Sequence, residues 1–194
     1  MRHWLFHPIA FYPLAALLAA LVIGLSLKPQ AWPRPPAPVA ALHEGGWLVF
    51  EGARFNSPAP GPDQRMTVPR DFWGRALALR IAENPNQAPP TPGEDGVRLL
   101  LTPEDGAALS GRRLTIEVSY NPSPVNAASG LALSARGAGP SPWVGQPAPP
   151  QPATLRFDLP AQSSVNAIGL RALSDNDDQA YGLEITRVRI APRA

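Results

Sequence analysis

Hydrophobic and polar positions follow three successive patterns along the chain. From Ile9 to Leu27 the sequence IAFYPLAALLAALVIGLSL carries no charge. A helix of that length rises about 1.5 Å per residue and matches the roughly 30 Å hydrocarbon core of a bilayer. The pattern predicts a transmembrane helix over 9–27. Pro29 to Leu42 then holds five prolines and no periodicity, which predicts an extended, semi-rigid linker over 28–44. From residue 45 onward the period becomes two, in short runs. These are Trp47–Phe55, Phe72–Ala82, Val97–Thr102, Arg113–Tyr120, Gly130–Arg136, Ala153–Leu159, Ala167–Leu173 and Tyr181–Ile190. Each has the length of a strand, and Pro, Gly, Asn and Asp punctuate the gaps. Residues 103–109, PEDGAAL, fit a single helical turn.

Strands at this spacing predict an all-β domain over 45–194, a two-sheet jelly-roll-like β-sandwich. A parallel α/β fold is excluded, because the crossover helices it needs are missing. In the last run Leu183 and Ile185 alternate in one phase, and Val188 and Ile190 in the other. The slip near Thr186 or Arg187 predicts a β-bulge.

The segment before the apolar run, residues 1–8, interleaves Arg2, His3 and His7 with Trp4 and Phe6. It fits a collar at a membrane interface. The apolar run is longer than a signal-peptide h-region, and no small-x-small site follows it closely. An uncleaved signal-anchor is therefore expected, giving a single-pass protein of the inner (plasma) membrane. Basic residues flank both ends of the run, so the charge bias is nearly even. The short leading tail favours a cytoplasmic N-terminus and a periplasmic domain, and the opposite orientation stays open. Ala16, Ala20 and Gly24 form a ridge of small residues that could serve as a helix interface. The abundance of alanine explains it equally.

Composition narrows the chemistry. The chain has no cysteine, which excludes disulfides, thiolate metal sites and a cysteine nucleophile. From residue 45 onward 14 Arg balance 14 Asp and Glu, so the domain has no electrostatic footprint for nucleic acid. Lys28 is the sole lysine, and the three histidines are His3, His7 and His43, all before residue 45. A Ser-His-Asp triad, a histidine zinc site and a Schiff-base lysine are therefore not expected in the sandwich. The protein is expected not to be an enzyme.

Two groups could hold a ligand. Asp175, Asp177 and Asp178, in the stretch SDNDDQ, are oxygen ligands of the kind a structural Ca²⁺ prefers, although the spacing is not that of an EF-hand. A solvated turn is the competing reading, and no other cofactor is expected. Trp143, Tyr181, Tyr120 and Trp73 are candidate sugar-stacking residues. Trp143 leads, since SPWVGQP has no strand pattern, whereas Trp73 flanks an apolar run and is expected rather in the core.

The order ATLRFDLP, AIGLRALSD, a polar loop and a closing GLEITRVRIAP resembles the jelly-roll domains of carbohydrate-binding modules and galactose-binding-like proteins. The resemblance covers roughly the second half of the chain. It implies a fold more than a ligand, and it carries no fixed catalytic residues. The resulting expectation is a membrane-anchored, non-catalytic protein. Its partners would be the lipid bilayer and a glycan or an envelope protein. The alternative is an accessory subunit of a membrane complex, held through its helix.

Overall fold

The computed structural model describes residues 8–26, 36–56, 58–62, 64–176 and 178–193. The chain falls into two units, 1–34 and 35–194. Residues 1–7, the greater part of the expected collar, lie outside the described residues, as do 27–35.

In the first unit, helix α1 runs Pro8–Ser26. Pro8 occupies the first turn, where a missing N–H costs nothing. The side chains described, residues 11–26, are exposed throughout, among them Phe11, Leu17, Leu21 and Leu25. Ala16, Ala20 and Gly24 all lie on α1, and a Cβ placed on Gly24 would meet nothing within 4 Å. Among the described residues, no helix is long and apolar enough to cross a membrane. The transmembrane span expected over 9–27 is therefore not established by the structure.

The second unit is an antiparallel β-sandwich, as expected. Its strands are β1 (Leu42–Glu44), β2 (Trp47–Glu51), β3 (Gln64–Thr67), β4 (Leu79–Glu83), β5 (Val97–Leu100), β6 (Arg113–Pro122), β7 (Gly130–Arg136), β8 (Val144–Pro147), β9 (Ala153–Leu159), β10 (Ala167–Leu173) and β11 (Gly182–Arg193). A short helix α2 (Pro103–Leu109) follows β5, with Thr102 as its N-cap accepting from the Asp105 N–H.

Strand β11 is the spine of the larger sheet. It pairs with β6 along one edge over its whole length. Along the other edge β4 takes Gly182–Ile185 and β2 takes Arg187–Ile190. The register with β6 shifts between Ile185 and Arg187. This is the expected bulge, and its cause is visible. One extra residue resets the alternation, so Leu183, Ile185, Val188 and Ile190 all enter the core. It falls where β4 gives way to β2. Strands β1, β3 and β9 complete this sheet, and β5-β10-β7-β8 form the other. Phe50, Ile81, Ile116 and Phe157 from the first sheet meet Leu99, Leu131, Leu133 and Ile168 from the second in one core.

Two expectations change. Residues 42–44, placed in the linker, form β1, because Gly45 and Gly46 close a two-residue hairpin with φ of +56° and +84°. Both positions demand the left-handed region that glycine enters freely. Of the expected run 72–82, only 79–82 lies in a strand. Leu77 stays exposed while Leu79 and Ile81 are buried.

Candidate functional site

Residues 69–77 form a small, closed turn between β3 and β4. The Asp71 N–H donates to the Arg75 carbonyl at 2.9 Å and the Gly74 N–H to the Asp71 carbonyl at 3.0 Å. The Leu77 N–H donates to the Pro69 carbonyl at 2.9 Å. The Asp71 carboxylate accepts from the Arg75 N–H at 2.8 Å. Arg70 clamps the base, donating to the Gly74 carbonyl at 2.9 Å and to the Asn56 side chain. Gly74 has a φ of +77°. Asp at the first position and Gly at the fourth are what a tight four-residue turn selects.

The two middle residues, Phe72 and Trp73, are displayed by this frame. They are 87% and 72% exposed. Their rings pack edge to face, with centroids 5.2 Å apart and planes at 86°. A turn held by its own backbone presents two large aromatic surfaces to the exterior with little conformational freedom left to lose. Trp73 was among the sequence candidates but was expected rather in the core, and Phe72 was missed. The Asp-Phe-Trp-Gly turn signature could have found both.

The other expected ligand residues lie elsewhere, and the structure brings none of them to this turn. Tyr120 belongs to the core. Ile116, Val118 and Tyr120 alternate inward along β6, and the Tyr120 hydroxyl donates to the Pro149 carbonyl at 2.8 Å. Burial pushes its phenol pKa up. A buried ring cannot meet a ligand, so Tyr120 is removed from the candidates.

Trp143 is half-buried rather than displayed on a loop. Its indole edge sits against Gly96 and Gly169, where an added Cβ would come within 2.7 Å and 3.0 Å of the ring. The Arg136 guanidinium stacks over it, 4.5 Å from the ring centroid. Its Nε1–H donates to the Thr91 carbonyl at 2.9 Å. The indole thus pins the proline-rich segment 84–96 over the outer face of the smaller sheet. Arg136 and Arg171 do the same from below. Arg136 Nη1 donates to the Pro92 carbonyl at 2.8 Å and Arg171 Nη2 to the Ala88 carbonyl at 2.7 Å, while Arg171 Nη1 pairs with Glu94.

Tyr181 is half-buried at the start of β11, and its hydroxyl donates to Asp178 Oδ1 at 2.9 Å. That bond is the main cause of a raised phenol pKa. Asp178 is therefore already engaged, Asp175 is exposed, and Asp177 lies outside the described residues. Among the described residues, no group of three or more His, Cys, Asp or Glu side chains is placed to hold a metal ion.

His43 also departs from expectation. It sits in β1, inside the sandwich unit, with Nε2 3.2 Å from Asp105 Oδ1. Asp105 is buried and also accepts from the Ala41 N–H at 3.2 Å and the Thr102 hydroxyl at 2.8 Å. The cluster ties β1 to the cap of α2.

No protein-family model matches the chain, and no curated protein matches it. Among solved structures, the chain is similar to the apo form of CBM1 of BiXyn10A. The TM-score is 0.44 at 10% identity, covering 70% of this chain and 88% of that one. It is also similar to the CBM22-1–GH10 modules of Clostridium thermocellum endo-1,4-beta-D-xylanase 10B, complexed with xylohexaose. There the TM-score is 0.38 at 14% identity, covering 80% of this chain and 28% of that one. Both neighbours contain a CBM, a carbohydrate-binding module, and both likenesses are too distant to bear on what this chain binds.

Proposed function

We propose that the protein is a non-catalytic glycan-binding protein whose sandwich grips sugar rings with the aromatic turn at Phe72 and Trp73. The observation that carries this reading is the pair of displayed rings on a hydrogen-bonded frame. Soluble domains rarely expose adjacent large aromatic groups without a partner for them. The apolar C–H faces of a pyranose suit such rings. Arg70 and Arg75 beside them supply donors for hydroxyl groups. The sandwich binds and does not catalyse. Its one histidine, His43, is tied to Asp105 far along the chain from the turn.

Attachment to the inner membrane through the N-terminal helix belongs to the same reading, with the sandwich on the periplasmic side. What supports it is α1 itself, apolar on every side with its described side chains exposed. A helix apolar all round needs an apolar surround. The second reading, an accessory subunit, draws on the small-residue row Ala16, Ala20 and Gly24 of the same helix. Washing isolated membranes with alkaline carbonate tests the attachment. The chain should stay in the pellet, and its release would refute a membrane-embedded helix.

Retention on immobilised polysaccharides tests the binding. The full-length chain in detergent micelles should be retarded by at least one of xylan, cellulose, chitin and peptidoglycan. Trp73→Ala should abolish the retardation. No retention of the unaltered chain on any of them would overturn the reading.

A further inference from the structure

Strand β7 ends in Arg136, on the face of the smaller sheet turned away from the core. Alternation dictates this placement. Leu131, Leu133 and Ala135 enter the core, so Ala132, Ser134 and Arg136 point the other way. Arg136 is only 5% exposed, because segment 84–96 lies over it. Yet among the described residues its Nε and Nη2 have no hydrogen-bond partner. Guanidinium donors buried without acceptors are costly to keep.

The surroundings make this position more than a packing defect. Arg136 lines a cleft of about 340 Å³, together with Pro92, Gly93, Asp95, Arg98, Asn166 and the loop 137–140. Asp95, the carboxylate in the cleft lining, pairs with Arg98 at 3.5 Å. Burial lowers the Arg136 pKa, and the charges of Asp95 and Glu94 only partly restore it. The site thus holds a desolvated cation whose counter-charges lie at a distance. Asn166, exposed at the wall of the cleft, carries both a donor and an acceptor suited to ring hydroxyls.

We propose that this cleft is a second binding site, separate from the aromatic turn, that takes a carboxylate-bearing sugar with Arg136 as its anchor. The proposal rests on the glycan-binding reading above and adds a ligand class to it. A planar guanidinium fork matches a carboxylate in two-point contact, which a neutral sugar cannot supply. Because Nε and Nη2 are covered in this conformation, the ligand reaches them by displacing the edge of the covering segment at Pro92 and Gly93. That edge has no strand pairing of its own, and the bonds to be given up there are those of the Pro92 carbonyl with Arg136 Nη1 at 2.8 Å and the Ser141 N–H at 3.3 Å.

Titration calorimetry on the full-length chain in detergent micelles tests this with three probes: D-glucuronate, D-glucose and acetate. Glucuronate should bind about tenfold or more tighter than either of the others, as charge-assisted two-point bonding implies. Asp95→Asn, at an exposed position that needs no repacking, should tighten glucuronate several-fold relative to glucose. It removes a competing carboxylate and frees Arg98. Arg136→Gln should reduce glucuronate to the level of glucose, with near-UV circular dichroism reporting that the fold is kept. Equal affinity for glucuronate and glucose, equal affinity for glucuronate and acetate, or weaker glucuronate binding by Asp95→Asn would each overturn the proposal. The two sites fail separately. Polysaccharide retention lost in Trp73→Ala without a glucuronate preference sinks the cleft alone. A glucuronate preference without Trp73-dependent retention sinks the aromatic turn alone.

Discussion

Glu94→Gln probes how the covering segment is held. Arg171 lies in the middle of β10 with no exposed side-chain surface, and Glu94 is the carboxylate paired with it. The remaining acceptor is the Ala88 carbonyl, and Arg171 Nε has no partner among the described residues. Removing one partner of a buried ion pair costs about 3–5 kcal/mol. Glu94 itself is 30% exposed, so solvent screens part of the attraction and about 2 kcal/mol is a fair magnitude. For a domain of this size that is about 4–8 °C in the unfolding midpoint.

The pH dependence sharpens the test. Burial alone would raise the Glu94 pKa. Hydrogen bonds from the Thr91 backbone and the Arg171 guanidinium, with the charge of Arg171, outweigh burial and lower it. A depressed folded-state pKa contributes stability above the unfolded value, and that stability is lost as pH falls through the folded one. Melts of the full-length chain in detergent, followed by near-UV circular dichroism, should therefore show a gap between the unaltered chain and Glu94→Gln at pH 7. The gap should close as pH falls below the ordinary carboxylate range. An equal midpoint at pH 7, or a gap that persists under acid, would refute the reasoning.

Two further predictions concern Gly169 on the same face and Glu83 at the end of β4. Gly169→Ala should lower the unfolding midpoint by an amount equivalent to about 1–3 kcal/mol of overpacking. Its Cβ would meet Trp143 at 3.0 Å, Arg136 Nε at 3.1 Å and the Asp95 carbonyl at 3.1 Å; an unchanged midpoint would contradict that packing. Burial raises the Glu83 pKa, more than the Ser174 backbone hydrogen bond and the charge of Arg171 lower it. A raised folded-state value means that its stability contribution is full below the unfolded pKa and is lost as pH rises. Glu83→Gln should accordingly match the unaltered chain at pH 3 and melt higher at pH 7, and a lower melt at pH 7 would count against it.

Much of the sandwich was legible in the sequence. Strands β7, β9 and β10 fall on Gly130–Arg136, Ala153–Leu159 and Ala167–Leu173 as expected, because apolar runs between turn residues leave little choice. The bulge in β11 was equally readable from its phase slip. Strands β1, β3 and β8 were not, since LHE, QRMT and VGQP are short and largely polar. Each is a strand only through the neighbour it pairs with, β2, β4 and β7 respectively.

The candidate site was legible in part. Tyr120 carried a usable signal, its inward phase with Ile116 and Val118, and so did the turn around Phe72 and Trp73. Trp143 carried none. Its seat is made by Gly96 and Gly169, brought together only by the fold. The role of segment 84–96 was hidden for the same reason. Its prolines announce a loop, and only the tertiary structure shows that Arg136, Arg171 and Trp143 hold it against a sheet.

The central claim is that the displayed aromatic turn binds glycan while Trp143 serves the fold. Affinity electrophoresis of the full-length chain through polysaccharide-containing gels, run beside Phe72→Ala, Trp73→Ala and Trp143→Ala, tests it most directly. The account predicts that Phe72→Ala and Trp73→Ala lose retardation while melting within a few degrees of the unaltered chain. Trp143→Ala should melt clearly lower, since truncating a fully buried tryptophan costs about 3–5 kcal/mol and this half-buried one loses part of that. Retardation that survives in both Phe72→Ala and Trp73→Ala would contradict the account.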